Sequence, residues 1–237
     1  MREYLDTFFN ADKIASAWEI IREDFLRETG ITMYITILST LFAILIGLPL
    51  GVLLVTGDSK GIHPLPKPLM AFLNGLINIL RSAPFIILIV VVMPFTKAIV
   101  GKSWGTDAVV VPLIIAAFPF VARLVEGSLR EVNPNIIEMS QSMGATTWQT
   151  VTHVMLPESV PSLISSFTTA MTTIFGYTAM SGAVGGGGLG NLAIQQGQAR
   201  SNHPVRLAGL IVLVILVQII QTIGTRLARR SDKRLKA

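Results

Sequence analysis

Gly185, Gly187 and Gly190 spell G-x-G-x-x-G, a spacing that wraps the pyrophosphate of a dinucleotide when the loop joins a β-strand to a helix. Here it follows a long apolar run with no strand-helix-strand pattern around it, so nucleotide chemistry is not expected of it. Gly101-Lys102-Ser103 has the form of the end of a phosphate-binding loop, but the glycine required five positions earlier is Thr96. Glu126 and Glu131 lie close in sequence with Arg123 and Arg130 beside them, which reads as a salt-bridge cluster rather than a catalytic pair. His63, His153 and His203 are too scattered to share a metal. The absence of cysteine removes thiolate ligands, a thiol nucleophile and a disulfide framework. The expectation is a chain with no catalytic residue, no metal site and no cofactor of its own.

What the chain has instead is apolar length. Hydrophobic residues make up 51% and charged residues 14% of its 237 positions, the mean hydropathy is +0.62, and the apolar residues fall in long uncharged blocks. A bilayer crossing takes about 20 mostly apolar residues. Ile31–Val55 carries no charge and is the first expected span, 31–55. Leu69–Thr96 is interrupted by Arg81 and expected to kink at Pro84, with a membrane portion at 75–94. Ala108–Ala122 is short, so that span extends to Arg123 and Glu126, whose long side chains snorkel to the interface, giving 106–126. A polar-flecked span at 162–183 and a last one at 207–225 complete an all-α integral membrane protein of five transmembrane helices. The domain 31–225 is flanked by an N-terminal segment, 1–30, and a basic tail, 226–237.

Six of the 19 basic residues sit between Arg226 and Ala237, with Asp232 alone against them, so the net charge of +5 reads as a juxtamembrane anchor and not as a nucleic-acid surface. With five spans the cytoplasmic tail puts the N-terminus outside. The first thirty residues, with four basic and seven acidic side chains, fit an external segment better than a signal peptide. Lys97, Lys102, Arg200 and Arg206 then fall outside. Within the N-terminal segment Ile14, Trp18, Ile21 and Phe25 recur at helical spacing, either as an interfacial helix or as one that packs on its neighbours. Arg81 stands at an interface or faces a wet interior.

By the same parity the loop 131–158 is cytoplasmic, and it holds the sharply punctuated stretch from Glu138 to Glu158. Asn133-Pro134 starts a helix, Gly144 stops it, and Thr146 with Gln149 forms a capping box for a second. The second helix carries Trp148, Val151 and Met155 on one face, with Gln149, Thr150 and His153 off it, and Leu156-Pro157 is expected to end it. An apolar stripe on so short a helix buries itself in its own protein, at the membrane surface or in a partner.

In its spaced positions the stretch resembles the "EAA" loop of ABC-importer permeases, E-A-A-x3-G-x9-I-x-L-P. Glu138, Gly144, Leu156 and Pro157 match, while Met139-Ser140 replace the two alanines and Val154 the isoleucine. The similarity covers roughly Thr29 to Arg226, and Leu80–Leu88 and Gly176–Gly190 are most similar to methionine importer permeases. The resemblance implies a type I ABC importer permease architecture in a bacterial cell membrane. It further implies a second copy of the chain, two cytoplasmic ABC ATPase subunits that carry ATP and Mg, an extracellular substrate-binding protein and an amino-acid substrate, methionine above all. Glu138, Gly144, Trp148, Leu156 and Pro157 would couple to the ATPase. Tyr177, Met180 and Gly182 would lie on the substrate path, unless Met180 only fills a core.

The rival class is an ion-coupled secondary transporter, which generally needs a carboxylate or ion site at bilayer depth. Four of the five expected spans, all but 106–126, contain no Asp or Glu. A structural membrane scaffold leaves the polar flecks of 162–183 unexplained.

Overall fold

A computed structural model describes residues 11–199 and 202–232, with side chains for 17–198 and 202–232. The side chain of Ile14, Arg200 of the expected outer loop, and Lys233, Arg234 and Lys236 of the tail lie outside the described residues. Regular structure among the described residues is entirely helical.

The first helix, α1 (Ala11–Thr56), is 46 residues long and runs through the expected boundary at Gly30 without a break. A lone helical glycine costs only about 1 kcal/mol relative to alanine, too little to end a ladder supported on both sides. The expected span 75–94 is in fact two helices, α2 (Lys67–Ser82) and α3 (Phe85–Val100). Ala83 and Pro84 between them are extended, with ψ of 126° and 127°, because the residue before a proline is pushed out of helical geometry. α4 (Thr106–Arg130) reaches four residues past the expected end, and α5 (Pro134–Ser142) opens on the Asn133 cap, whose Oδ1 accepts from Asn135 N at 3.0 Å.

The expected stop at Leu156-Pro157 does not occur. α6 (Thr147–Thr150) passes through a π-helical turn, Val151–Met155, directly into α7 (Leu156–Ser181). In that turn Leu156 N donates to Val151 O, five residues back. The widened turn lets Pro157 follow without driving its ring into the preceding carbonyls, so the helix survives a residue that normally breaks it. A 3-10 turn (Gly182–Val184), α8 (Gly188–Leu192), a second π-helical turn (Ala193–Ala199) and α9 (His203–Ser231) follow.

Among the described residues Ala17–Thr56, Thr106–Arg130 and His203–Ser231 are each long and apolar enough to cross a membrane, and α2 and α3, bent by 111° at the break between them, meet that measure together. α7 has the length, 26 residues. Its serines and threonines from Ser162 to Thr173 keep it below the apolarity of the other three.

Two compact units share the chain. In the first, comprising residues through Ser39, Pro84–Ile114 and Thr172–Ile219, Ala17 and Phe25 of α1 are buried with Leu189, Leu192 and Val205. Ile20 and Ile21 pack against them, so Ile21 and Phe25 of the expected stripe lie on the buried face, whereas Trp18 is 69% exposed and Ala17 is buried beside it. In the second unit, Thr40–Ala83, Ile115–Met171 and the chain from Ile220, the core joins Leu54, Ile77 and Ala122. Gly47 and Gly51 lie four apart on α1, and a Cβ on either would stand 2.7 or 2.6 Å from the side chains of Val121 and Val125. The two backbones therefore pass at a distance only glycine permits, the small-xxx-small device of membrane helices. Glu131, Pro157 and Ser231 line one small cavity, and Arg130 pairs with Asp58. The ends of α1, α4 and α9 and the start of α7 consequently share one side.

Candidate functional site

The helix-bend-helix built by Asn133, Gly144 and Thr146 forms as its sequence spacing requires. α5 ends at Met143, Gly144 takes φ +83° with open space where a Cβ would be, and Thr146 and Gln149 complete a reciprocal capping box. Thr146 N donates to Gln149 Oε1 at 2.8 Å and Gln149 N to Thr146 Oγ1 at 3.3 Å. The interior of the element differs from the expected face. Val151 and Met155 are buried, but so is Thr150, whose Oγ1 lies 3.3 Å from Ser140 Oγ. That hydroxyl pair pins α5 to α6 and turns Trp148 outward, 73% exposed.

Glu138, Met139, Met143 and Gly144 are exposed as well, beside a groove of about 480 Å³ lined by Met139, Met143, Gln149 and Val154. Glu138, Gly144 and Trp148 therefore belong to one solvent-facing element. Leu156 is half-buried, whereas Pro157 is exposed and lines another cavity with Glu131 and Ser231. A solvent-facing methionine and tryptophan cluster on a rigid scaffold has the composition of an interaction surface.

Beside this element the expected salt-bridge cluster exists with a changed membership. Glu126 accepts from Arg123 Nη1 at 2.6 Å and from Arg130 at 2.9 and 3.1 Å. Arg130 also donates to Asp58 Oδ2 at 2.7 Å, and Arg123 to Asn74 and Asn78. Glu131 takes no part in these bonds. Asp58, Asn74 and Asn78 escaped sequence reading because they lie 45 or more residues away from the arginines they meet. The Arg130 guanidinium hydrogen-bonded to Asp58 holds that carboxyl below its ordinary range.

On the expected substrate path, Met180 is 45% exposed, and Tyr177 is half-buried with its ring stacked on Phe85, centroids 4.6 Å apart. Phe85 is the first residue of α3, set there by Pro84, and nothing in the sequence marks it as the partner of Tyr177. Gly182 is buried with no free space beside it. A Cβ there would lie 2.2 Å from Asn191 N, and one on Gly190 2.2 Å from Ala179 O. Gly182 and Gly190 are thus a backbone crossing, not a lining of open space. Gly176, by contrast, has nothing within 4 Å of a built Cβ. Gly185, Gly187 and Gly188 hold positive φ, and the N–H of Leu189 in the loop they form is capped by Thr32 Oγ1 at 2.9 Å. No group of three potential metal-binding side chains occurs among the described residues.

Comparison with known proteins agrees with this geometry. Residues 47–237 match the family of binding-protein-dependent transport system inner membrane components. The chain is 45% identical over 218 residues to the probable D-methionine transport system permease protein of Pasteurella multocida, covering 92% of this chain and 98% of that one. It is 43% identical over 176 residues to the methionine import system permease protein of Bacillus subtilis, 74% and 79% of the two chains. A chain of the MetNI methionine ABC transporter, solved in inward-facing conformations, superposes with a TM-score of 0.86 at 43% identity over 88% of this chain and 96% of that one. A chain of an amino acid ABC transporter shares the fold alone, with a TM-score of 0.73 at 16% identity over 94% and 99% of the two chains. The ion-coupled alternative gives way to these matches. With its all-helical type I importer permease fold, the chain belongs to the binding-protein-dependent inner membrane permeases of ABC importers, in the methionine importer group.

Proposed function

We propose that this protein is the membrane permease subunit of an ATP-driven methionine importer, working as a dimer of this chain with two copies of a separate ATPase and supplied by an extracellular binding protein. The observation that carries the coupling half of this reading is the exposed Glu138, Met139, Met143 and Trp148 around left-handed Gly144. A rigid element that leaves a tryptophan and two methionines in solvent is suited to a pocket on a partner. ATP and Mg reside on that partner, so the chemistry of hydrolysis lies outside this chain, and the permease carries translocation. Closure of the ATPase pair moves α5 and α6, and through the continuous α6 to α7 helix the motion reaches Tyr177 and Met180. The path then opens toward the outside.

Five crossings, with the broken α2 and α3 pair as one and α7 as the polar-flecked fourth, put the N-terminus outside and the basic end of α9 in the cytoplasm. The side shared by the ends of α1, α4 and α9 is then cytoplasmic, as ATPase docking on α5 requires. The test is co-purification from mild detergent with the candidate ATPase, followed by reconstitution into vesicles with the binding protein. ATP-dependent uptake of radiolabelled methionine is expected; a chain that binds no ATPase and moves no methionine with the full set present overturns the reading.

A further inference from the structure

Arg130 closes α4 just before the Asn133 cap of α5, and from there it reaches the turn that follows α1. Its Nη2 is 2.7 Å from Asp58 Oδ2. The same guanidinium is steadied on its own helix by Glu126, which also accepts from Arg123. Arg123 Nη2 in turn donates to Asn74 Oδ1 at 2.7 Å and Asn78 Oδ1 at 3.0 Å on α2. One chain of charge-assisted bonds thus ties the last two turns of α4 to the α1–α2 turn and to α2. The centre is shielded, with Glu126 13% and Arg123 20% exposed, while the Arg130 and Asp58 end is open at 49% and 36%.

The surroundings give this chain of bonds a task. Between α5 and the α1–α2 turn lies a cavity of about 410 Å³, with Asp58, Lys60 and Ile62 among its lining from the turn and Ile137, Glu138 and Gln141 from α5. The buried side chain of α5 is Ser140, which meets Thr150 on α6. The α1–α2 turn is itself stiff. His63 N donates to Thr56 O at 2.9 Å, Leu65 N to Gly57 O at 3.0 Å and Gly61 N to Asp58 O at 2.8 Å. A pull on Asp58 therefore moves the end of α1 with the turn.

We propose that Asp58 and Arg130 are positioning residues for coupling: their ion pair, backed by Glu126 and Arg123, carries displacement of the α4–α5 junction to the α1–α2 turn and to α2. The proposal rests on α5 being the ATPase-docking element. Displacement passes between elements through contiguous contacts, and the Arg130 to Asp58 pair is such a contact between the end of α4 and the α1–α2 turn.

The experiment reconstitutes the full permease with its ATPase and binding protein in vesicles. It measures methionine moved per ATP hydrolysed for the parent, Arg130→Met, Asp58→Asn and the double variant. Assembly with the ATPase and basal hydrolysis are expected to stay at parental levels in all three. Methionine per ATP should fall roughly fivefold in each single variant and no further in the double, because the two residues act through each other. Arg130→Lys, which can hold Asp58 but not both carboxylates as a fork, should recover part of the loss. Parental stoichiometry in Arg130→Met, or losses that multiply in the double variant, overturns the proposal. Should Arg130→Met fail to assemble, Asp58→Asn decides alone, and parental coupling in that variant overturns the proposal equally. A parent that transports no methionine overturns the proposed function instead, which keeps the two failures apart.

Discussion

Phe85 and Tyr177 stack with ring centroids 4.6 Å apart and ring planes 12° from parallel, although one begins α3 and the other sits near the end of α7. Phe85 is 7% exposed and fixed by the break at Pro84, so it is the wall against which Tyr177 is held. An aromatic pair of this kind contributes about 0.5–1.5 kcal/mol beyond its buried area. Phe85→Ala should therefore change the apparent affinity or maximal rate of methionine uptake as Tyr177→Ala does, and Phe85→Tyr should largely restore it. Met180→Ala is expected to alter uptake with ATPase assembly intact. If all three alanine variants transport like the parent at every methionine concentration, the path does not run past these side chains.

Gly182 tolerates no side chain. The 2.2 Å approach of a built Cβ to Asn191 N is to backbone, which cannot step aside. Overpacking of a close contact costs about 1–3 kcal/mol or more. Gly182→Ala, and not only a bulky replacement, should lower the thermal midpoint in detergent by several degrees, whereas Gly176→Ala, with open space around it, should not. Equal midpoints for the two would remove the backbone crossing.

If α5 and α6 dock on the ATPase as proposed, Gly144 and Trp148 should contribute separably. At φ +83° with empty surroundings the cost of a side chain at 144 is conformational alone. Gly144→Asn should retain most uptake, Gly144→Val should lose more, and Gly144→Pro should abolish uptake with the chain still inserted. Trp148→Ala leaves the fold untouched, because the indole is exposed. It should weaken ATPase binding by about 2 kcal/mol, roughly thirtyfold, if the tryptophan is a central anchor. Unchanged ATPase affinity would place the partner's pocket elsewhere. Glu138→Lys, reversing an exposed charge on the same element, should abolish coupled uptake.

The orientation is open to labelling. Cysteines introduced by Thr147→Cys and Ser231→Cys should be shielded from an impermeant thiol reagent in intact cells, while Lys102→Cys, in the exposed turn after α3, should react. Reaction at position 147 from outside would invert the five-crossing arrangement.

Asp58 gives the network a pH dependence of defined sign. Its carboxyl is held low by the Arg130 hydrogen bond, so the stabilisation is fully present above the ordinary carboxylate value near about 4 and is lost as pH falls through the lowered one. The thermal midpoint of the parent should exceed that of Asp58→Asn at neutral pH, and the gap should start to close below about pH 4 and vanish as pH falls through the lowered value. A gap that persists unchanged into acid would mean that the pair does not stabilise the native state.

What the sequence determined by itself was everything set by local chemistry and composition. Uncharged apolar blocks announce membrane helices, since no water is there to satisfy an open backbone. Asn133-Pro134, Gly144 and the Thr146 to Gln149 box define the helix-bend-helix through contacts within a few residues. The Glu138 to Pro157 spacing resembles that of the family to which the comparisons assign the chain.

Tertiary structure alone decided the rest. Whether Pro157 stops a helix depended on a π-helical turn whose hydrogen bonding competes with proline sterics over a small energy difference. Which face of α1 is buried was settled by neighbours far along the chain, and that Thr150 points in while Trp148 points outward was settled by Ser140 on the preceding helix. Gly47 and Gly51 did leave a trace, four apart on one face, but that spacing acquires meaning only with Val121 and Val125 against it. The distant partners of Arg123 and Arg130 left none, because a single Asp or Asn in a loop or helix carries no mark of the charge it will meet 45 to 72 residues later. Long-range polar pairing is a property of the fold, and periodicity along one segment cannot encode it.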